Sequence, residues 1–145
     1  MIALIQRVEK AQVDVSGKTV GKINQGILAL IGVEKTDSPE NADKLLKKIT
    51  NYRIFSDNNN KMNNSLRDIE GDLLLVSQFT LVADTQKGLR PSFSSAGSPE
   101  LSNDLFEYIV NKAKETGLKI QTGIFAADMQ VSLVNDGPVT FSLKC

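Results

Sequence analysis

The 145-residue sequence contains no histidine, no tryptophan and a single cysteine, Cys145. The absence of histidine excludes a Ser-His-Asp triad, a Cys-His pair and every metal site built on imidazole ligands. A single cysteine cannot form an internal disulfide bond, and this usage is typical of a reducing compartment. The missing histidine is the most informative absence, because it removes the commonest catalytic base and metal ligand.

The sequence also lacks net charge, since seventeen basic residues balance seventeen acidic ones. Proteins that grip nucleic acid along their length usually carry a basic excess, so any contact with nucleic acid should be small and local. No apolar run approaches the roughly 20 residues of a membrane span, and the charge at Arg7 comes too early for a signal peptide. We therefore expect a soluble, cytoplasmic protein without membrane association.

The remaining composition is that of an ordinary globular protein, with 41% apolar and 23% charged residues. No repeat, linker or break in composition divides the chain. At this length the sequence predicts one domain over residues 1–145, large enough to bury a core.

Hydrophobic periodicity predicts a mixed α/β domain. Residues 2–15 alternate in polarity and predict a strand bulged near Lys10, followed by a hairpin turn at Ser16-Gly17. The continuous apolar run 27–33 predicts a strand buried on both faces. Ser38-Pro39-Glu40 and Ser98-Pro99-Glu100 each predict a helix start, with a capping serine and proline in the first turn.

Further strands are predicted at 19–23, at 72–76, around Ile120, and at 129–134 and 139–143. Residues 57–60, one aspartate and three asparagines, are predicted to form a loop, because these residue types favour turns. The predicted order is two strands, then strand-helix twice, then roughly three strands, or ββ-(βα)2-βββ. Two main helices would then lie on a strongly curved, barrel-like sheet.

Two short segments interrupt this pattern with polar or conformationally special residues. Ser77-Gln78-Phe79-Thr80 closes the apolar run 73–76, where backbone N–H groups become free to face a ligand. Asn135-Asp136-Gly137-Pro138-Val139-Thr140 places proline, which cannot donate to a ladder, between two β segments. Taken alone, each is weak evidence, because polar strand ends and Gly-Pro turns are common.

Two groups of basic residues can be interpreted either as ordinary surface residues or as functional ones. The loop 87–93, which carries Lys87 and Arg90, is either a surface connection or a functional loop. Lys44, Lys47 and Lys48 lie off the buried stripe of the first helix, where a solvated face is favoured over an RNA contact.

Taken together, these motifs resemble the D-aminoacyl-tRNA deacylase family. The resemblance spans essentially the whole chain. It is carried by Ile5-Gln6-Arg7-Val8, Lys61-Met62-Asn63, Ser77-Gln78-Phe79-Thr80-Leu81, Ala83-Asp84-Thr85, Lys87-Gly88, Arg90-Pro91-Ser92-Phe93, Thr122-Gly123-Ile124-Phe125 and Asn135-Asp136-Gly137-Pro138-Val139-Thr140.

The resemblance implies hydrolysis of the ester between a D-amino acid and the 3′-terminal adenosine of tRNA, with L-aminoacyl-tRNA rejected. It also implies removal of glycine mischarged on tRNA(Ala), a homodimer, tRNA as partner, and no metal or cofactor. Gly137 and Pro138, joined by a cis peptide bond, would enter the active site of the partner subunit and exclude an L side chain. Arg7 would hold this dipeptide in orientation.

The resemblance also assigns roles at the ester that is hydrolysed. Backbone N–H groups around Phe79 and Thr80 would form an oxyanion hole, while Ser77 and Gln78 orient the ester and the amino group. No base is positioned by the sequence to activate Thr80 as a nucleophile. The resemblance implies the alternative, in which the ribose 2′-hydroxyl of the tRNA assists attack by water.

The outer parts of the site follow from the same resemblance. Phe125 and Met129 would line the adenosine pocket, although both also fit an ordinary core, and Lys87 and Arg90 would contact the tRNA backbone. Ala126 departs from the family's common glycine at that position.

Three alternatives remain at this point. A nucleic-acid-binding module without catalysis is disfavoured by the balanced charge, and no DNA contact is expected. An esterase of small free substrates would need a catalytic base that the sequence does not display. A related deacylase with a different tRNA or amino-acid preference is the nearest competitor.

Overall fold

The structure, a computed structural model, describes residues 1–145. Its elements in chain order are β1 (Ile2–Val15), β2 (Lys18–Ile23), β3 (Gly26–Gly32), α1 (Pro39–Asn51), β4 (Phe55–Ser56), β5 (Met62–Asn64), β6 (Asp72–Ser77), a 3₁₀ turn (Phe79–Val82), α2 (Pro99–Lys114), β7 (Ile120–Thr122) and β8 (Gln130–Lys144). Neither helix has both the length and the apolar character that a membrane span requires.

The long strand β1 organises the sheet. On one side it pairs antiparallel with β8 along most of its length. On the other side its first half pairs with β3 and its second half with β2, both antiparallel. The sheet then continues from β3 to β6 and β7 through parallel pairings.

The sheet nearly closes into a barrel, because β7 returns to the neighbourhood of β2. A Cβ atom at Gly21 would lie only 2.5 Å from the carbonyl oxygen of Thr122, so glycine permits this close approach. The curved, barrel-like sheet with two main helices confirms the predicted architecture.

The core has two parts, one on each face of the sheet. The larger part lies between the sheet and the two helices and includes Ile27 and Ile31 of β3. The smaller part fills the barrel and includes Leu28 of the same strand. Each of these side chains contributes roughly 1.5–3 kcal/mol by its burial. The prediction that β3 is buried on both faces is confirmed.

The helices begin where the sequence predicts. Pro39 and Pro99 are the first residues of α1 and α2, and Ser98 Oγ accepts a hydrogen bond of 3.2 Å from the N–H of Leu101. The second helix ends at Lys114, shortly before Gly117, whose φ of +81° lies in the left-handed region.

The predicted bulge near Lys10 is confirmed. Val8 is opposite Asn135, whereas Lys10 is opposite Val134, so β1 carries one extra residue here. A one-residue insertion reverses the side-chain alternation. Ala3 accordingly packs towards the helices, while Val13, which has the same parity, points into the barrel.

One prediction about the strands is wrong, and one short hairpin was not predicted. Residues 129–134 and 139–143 are not separate strands but belong to the single strand β8. A non-local partner, β1, pairs with both parts and holds them in line. The chain also contains the short hairpin β4–β5, which was not predicted because its strands are only two and three residues long. Residues 57–60 form part of the connection within it, as predicted for a loop.

Candidate active site

A cavity of about 510 Å³ lies at the end of β6. It is bounded by the ends of β3 and β6, the start of α2 and the segment leading into β8. Five of the predicted site residues meet here, namely Ser77, Gln78, Phe79, Phe125 and Met129. The remaining lining residues are Ile31, Val33, Val76, Pro99, Ser102, Phe106, Ala126, Ala127 and Val131.

The turn after β6 exposes backbone donors at the edge of this cavity. The N–H of Gln78 donates to the carbonyl of Ile31 at 2.8 Å, which is the last contact of β6 with β3. The following N–H groups, those of Phe79 and Thr80, are left without an intrachain acceptor. This is the usual condition of the first N–H groups of a helical turn, and it makes them available to a carbonyl oxygen.

Thr80 is placed beside the cavity rather than in its lining. Its hydroxyl oxygen accepts a hydrogen bond of 2.6 Å from Nε2 of Gln78. None of the fourteen lining residues carries an ionisable side chain, so the cavity offers no general base to deprotonate Thr80.

The carboxylates with clearly shifted pKa values all lie outside the cavity lining. The hydroxyl of Ser65 lowers the pKa of Asp68, and the backbone N–H of Lys61 lowers that of Asp57. Hydrogen bonds from the hydroxyl groups of Thr19 and Ser38 lower the pKa values of Asp14 and Glu40, respectively. No group of three or more cysteine or carboxylate side chains is arranged to hold a metal ion.

The far wall of the cavity is shaped by small residues. A Cβ atom at Gly123 would lie 2.6 Å from Sδ of Met129, so the glycine leaves room for the Met129 side chain. Ala126 has a φ of +58°, in the left-handed region that favours glycine and costs other residues roughly 1–2 kcal/mol. The backbone at Ala126 therefore has a conformation in which glycine would be unstrained.

Gly137, Pro138 and Arg7 form a second cluster that does not line this cavity. Residues 136–139 of β8 stand opposite the single residue Arg7 of β1. We call these four residues the excursion. The Gly137–Pro138 peptide bond within it is cis, and both residues are exposed.

Arg7 holds the excursion through directed hydrogen bonds. Its Nε donates to the carbonyl of Asp136 at 3.0 Å and lies 3.1 Å from Oδ2 of the Asp136 carboxylate. Its Nη1 donates to the carbonyl of Ile54 at 2.6 Å. Gly137 has a φ of +132°, and a Cβ atom there would lie 3.0 Å from Nη2 of Arg7. The same Cβ atom would lie 2.7 Å from Cγ2 of Val139, so the positive φ and the close packing of Val139 and the guanidinium together favour glycine here.

Lys87 and Arg90 lie in an exposed loop. The base of this loop is closed by Asp84 and Ser92, each of which donates its N–H to the carbonyl of the other, at 2.8 and 3.0 Å. Neither Lys87 nor Arg90 forms an ion pair within the chain or lines the cavity.

Comparison with known proteins places the chain in a family. The family model described as D-Tyr-tRNA(Tyr) deacylase matches residues 4–144. The chain belongs to this family. A D-aminoacyl-tRNA deacylase of Haemophilus influenzae (strain ATCC 51907 / DSM 11121 / KW20 / Rd) is 64% identical over 144 residues, which are 99% of each protein. One of Pseudoalteromonas translucida (strain TAC 125) is 62% identical over 143 residues, again 99% of each.

Solved structures share the fold of this deacylase family member. The c-Myc DNA Unwinding Element Binding Protein superposes with a TM-score of 0.94 at 36% identity, over 100% of this chain and 99% of the other. A probable eukaryotic D-amino acid tRNA deacylase superposes with a TM-score of 0.83 over 98% of each chain. At 14% identity, the latter shows the fold alone.

Two features of this deacylase-family site were not assigned by sequence reasoning. Asn135 closes the base of the excursion, because its Oδ1 accepts from the N–H of Val139 at 2.8 Å and its Nδ2 donates to Oγ1 of Thr140 at 2.9 Å. Ser102 and Phe106 bring α2 into the cavity lining. The sequence feature that could have indicated Asn135 is its place in the Gly-Pro motif. No local sequence feature indicates that Ser102 faces a cavity.

Proposed function

We propose that this protein is a D-aminoacyl-tRNA deacylase, a hydrolase that releases free D-amino acid and tRNA from D-aminoacyl-tRNA. The observation that carries the proposal is a cavity without ionisable side chains, edged by the unpartnered N–H groups of Phe79 and Thr80. Membership of the deacylase family and the names of its closely similar relatives agree with it.

The chemistry uses charge stabilisation in place of acid–base catalysis by side chains. The ester carbonyl oxygen accepts hydrogen bonds from the N–H groups of Phe79 and Thr80, which stabilise the negative charge that develops on it. Water attacks the ester carbon with the help of the terminal ribose 2′-hydroxyl. Ser77 and Gln78 orient the ester and the amino group, and Gln78 also holds the Thr80 hydroxyl in place.

The adenosine occupies the part of the cavity formed by Phe125 and Met129. Phe125 packs against the ring of Phe106, which also lines the cavity, at a centroid distance of 6.4 Å, so helix α2 supports its position in the wall. Aromatic and apolar side chains suit an unpaired base, which they bind by stacking and contact.

The chiral selection comes from a second copy of the chain in a homodimer. Gly137 and Pro138 are exposed and do not line the cavity of their own chain, while Arg7 and Asn135 hold them rigidly. Inserted into a partner's cavity, their carbonyl groups would face the substrate α-carbon and exclude an L side chain. Such a wall does not read side-chain identity, so many D-amino acids and achiral glycine, including glycine on tRNA(Ala), fit the site.

The tRNA is held locally, at its acceptor end. Lys87 and Arg90 are exposed cations without intrachain partners, and they supply the backbone contacts. The absence of net charge agrees with a small contact area. The protein thereby acts as a chiral proofreader of translation in the cytoplasm.

The test is a paired hydrolysis assay on D-Tyr-tRNA and L-Tyr-tRNA, with chelator present. We expect rapid loss of the D ester alone, because only the L side chain meets the Gly137–Pro138 wall. Equal cleavage of both esters would remove the chiral role of the excursion. A panel of D-aminoacyl-tRNAs completes the test, since a strict preference for one D-amino acid would contradict a wall that ignores side-chain identity.

A second candidate is a nucleic-acid-binding module without catalysis. The similarity to the c-Myc DNA Unwinding Element Binding Protein, whose name refers to a DNA element, favours it. The balanced charge of this chain is less suited to such a role. Tight binding of tRNA or DNA without ester cleavage, in the same assay, would establish this alternative.

A further inference from the structure

We propose that the stacked rings of Phe79 and Phe93 form a binding subsite for an unpaired nucleobase, next to the cavity that holds the terminal adenosine. This inference rests on the proposed function, since the base would belong to the single-stranded 3′ end of the tRNA. We call the two rings the aromatic platform.

The platform is exposed where a phenylalanine would ordinarily be buried. The Phe79 residue retains 55% of its accessible surface although it lines the cavity. Its ring lies against that of Phe93 with centroids 4.7 Å apart and an interplanar angle of 25°. One face of the Phe79 ring is therefore covered by Phe93, and the exposed surface is available to a further flat group.

Both rings are held by the backbone around them. Phe79 directly follows Gln78, whose N–H is bonded to the carbonyl of Ile31. Phe93 directly follows Ser92, which closes the base of the basic loop, and its own carbonyl accepts from the N–H of Ala96 at 3.0 Å. A platform that is ordered before binding loses little conformational entropy when a base stacks on it.

The loop that leads into the platform carries charges that suit a nucleic-acid strand. The loop that ends at Phe93 carries Lys87 and Arg90, which have no intrachain ion-pair partner. Aromatic stacking surfaces combined with nearby cations are the common arrangement of sites for single-stranded nucleic acid. Because every base has a flat face, such a subsite accepts the 3′ end shared by different tRNAs.

The kinetic test compares Phe93→Leu with the wild type on two substrates, D-Tyr-tRNA and 3′-O-(D-tyrosyl)adenosine. The second substrate has the ester and the adenosine but no neighbouring base. We expect Phe93→Leu to lose about tenfold in kcat/KM on the tRNA substrate, mainly through KM, because leucine leaves the Phe79 ring without its stacked partner and weakens a base stack that contributes roughly 1–3 kcal/mol. Activity on the nucleoside ester should stay unchanged.

Two further variants serve as controls. Phe93→Tyr keeps the ring and should restore activity on the tRNA substrate, whereas Leu89→Ala changes a fully exposed apolar residue of the same loop and should have no effect. Equal losses of Phe93→Leu on both substrates would show that Phe93 only supports the turn at Phe79. Full activity on both substrates would also overturn the subsite.

A binding measurement makes the result independent of catalysis. The chain has no tryptophan, so Phe93→Trp introduces a single tryptophan, whose emission can be excited apart from that of the two tyrosines. We expect a short RNA that ends in CCA to quench its emission, and free adenosine to leave it unchanged. Quenching without hydrolysis of any D ester would retain the subsite and reject the proposed function. If the tryptophan emission instead changes with protein concentration in the absence of RNA and does not respond to RNA, the platform is a contact between copies of the chain.

Discussion

Arg7 shows how one side chain can control the geometry of a site that it does not line. Its guanidinium bonds two separate carbonyl groups, those of Asp136 and Ile54, and packs against Gly137. A planar group with several fixed donors can do this, whereas a lysine ammonium acts as a single point charge. The orientation of the excursion therefore depends on the shape of the guanidinium as well as its charge.

We predict that Arg7→Lys lowers discrimination between D-Tyr-tRNA and L-Tyr-tRNA by about tenfold, since the loss of a hydrogen bond to a charged group costs roughly 1.5–3 kcal/mol. The ratio of kcat/KM values for the two esters measures the effect. Arg53→Lys, at an exposed arginine close in sequence to Ile54, is the matched control and should leave the ratio unchanged. An unaltered ratio in a folded Arg7→Lys protein would contradict the positioning role.

At the scale of elements, β8 combines two tasks in one strand. Its two ends pair with β1, and the four residues between them, which stand opposite Arg7 alone, project Gly137 and Pro138. Asn135 bridges the base of this excursion, where its side chain takes over the hydrogen bonds that a regular ladder would otherwise supply.

We predict that Asn135→Ala lowers the free energy of unfolding by about 1–2 kcal/mol, because the N–H of Val139 loses its acceptor. It should also lower the ratio of D to L hydrolysis. Urea denaturation and the paired assay measure the two effects. Asn135→Asp keeps the acceptor and should recover most of both, and Ser132→Ala, elsewhere on β8, is the control. A loss of stability with an unchanged ratio would reduce Asn135 to a structural role.

At the scale of the whole molecule, the two halves of the predicted site lie apart in one chain. The cavity is built at the end of β6, while the Gly137–Pro138 dipeptide belongs to the excursion of β8 and does not line the cavity. A two-fold dimer can bring each half against the other half of a second copy, because a symmetric interface forms both contacts at once.

This arrangement predicts complementation between variants. The Gly137→Ala substitution displaces the excursion, so this variant should cleave L esters as well as D esters. The Ala127→Phe substitution fills the cavity, so this variant should be inactive. When excess Ala127→Phe protein is added to Gly137→Ala protein, cleavage of L esters should fall while cleavage of D esters continues. In a mixed dimer, the open cavity of the Gly137→Ala subunit receives the intact excursion of the Ala127→Phe subunit. A chain with both substitutions is the control and should not suppress it. Persistent L cleavage in the mixture would contradict action in trans.

Local sequence patterns determined much of the fold. The helix starts at Pro39 and Pro99, the doubly buried strand β3 and the bulge near Lys10 were all predictable, because capping, apolar runs and alternation act over a few residues. The gathering of Ser77, Gln78, Phe79, Phe125 and Met129 around one cavity came from the family motifs and not from periodicity.

The tertiary structure alone decided what depends on distant pairing. It joined 129–134 and 139–143 into one strand, brought β7 to Gly21 to close the barrel, and placed Asn135 across the excursion. These features arise from contacts between residues far apart in the chain, above all between β1 and β8, where register is set by the packing of both strands. The hydrophobic periodicity of a segment indicates whether it forms a helix or a strand, but it does not indicate which other strand it pairs with.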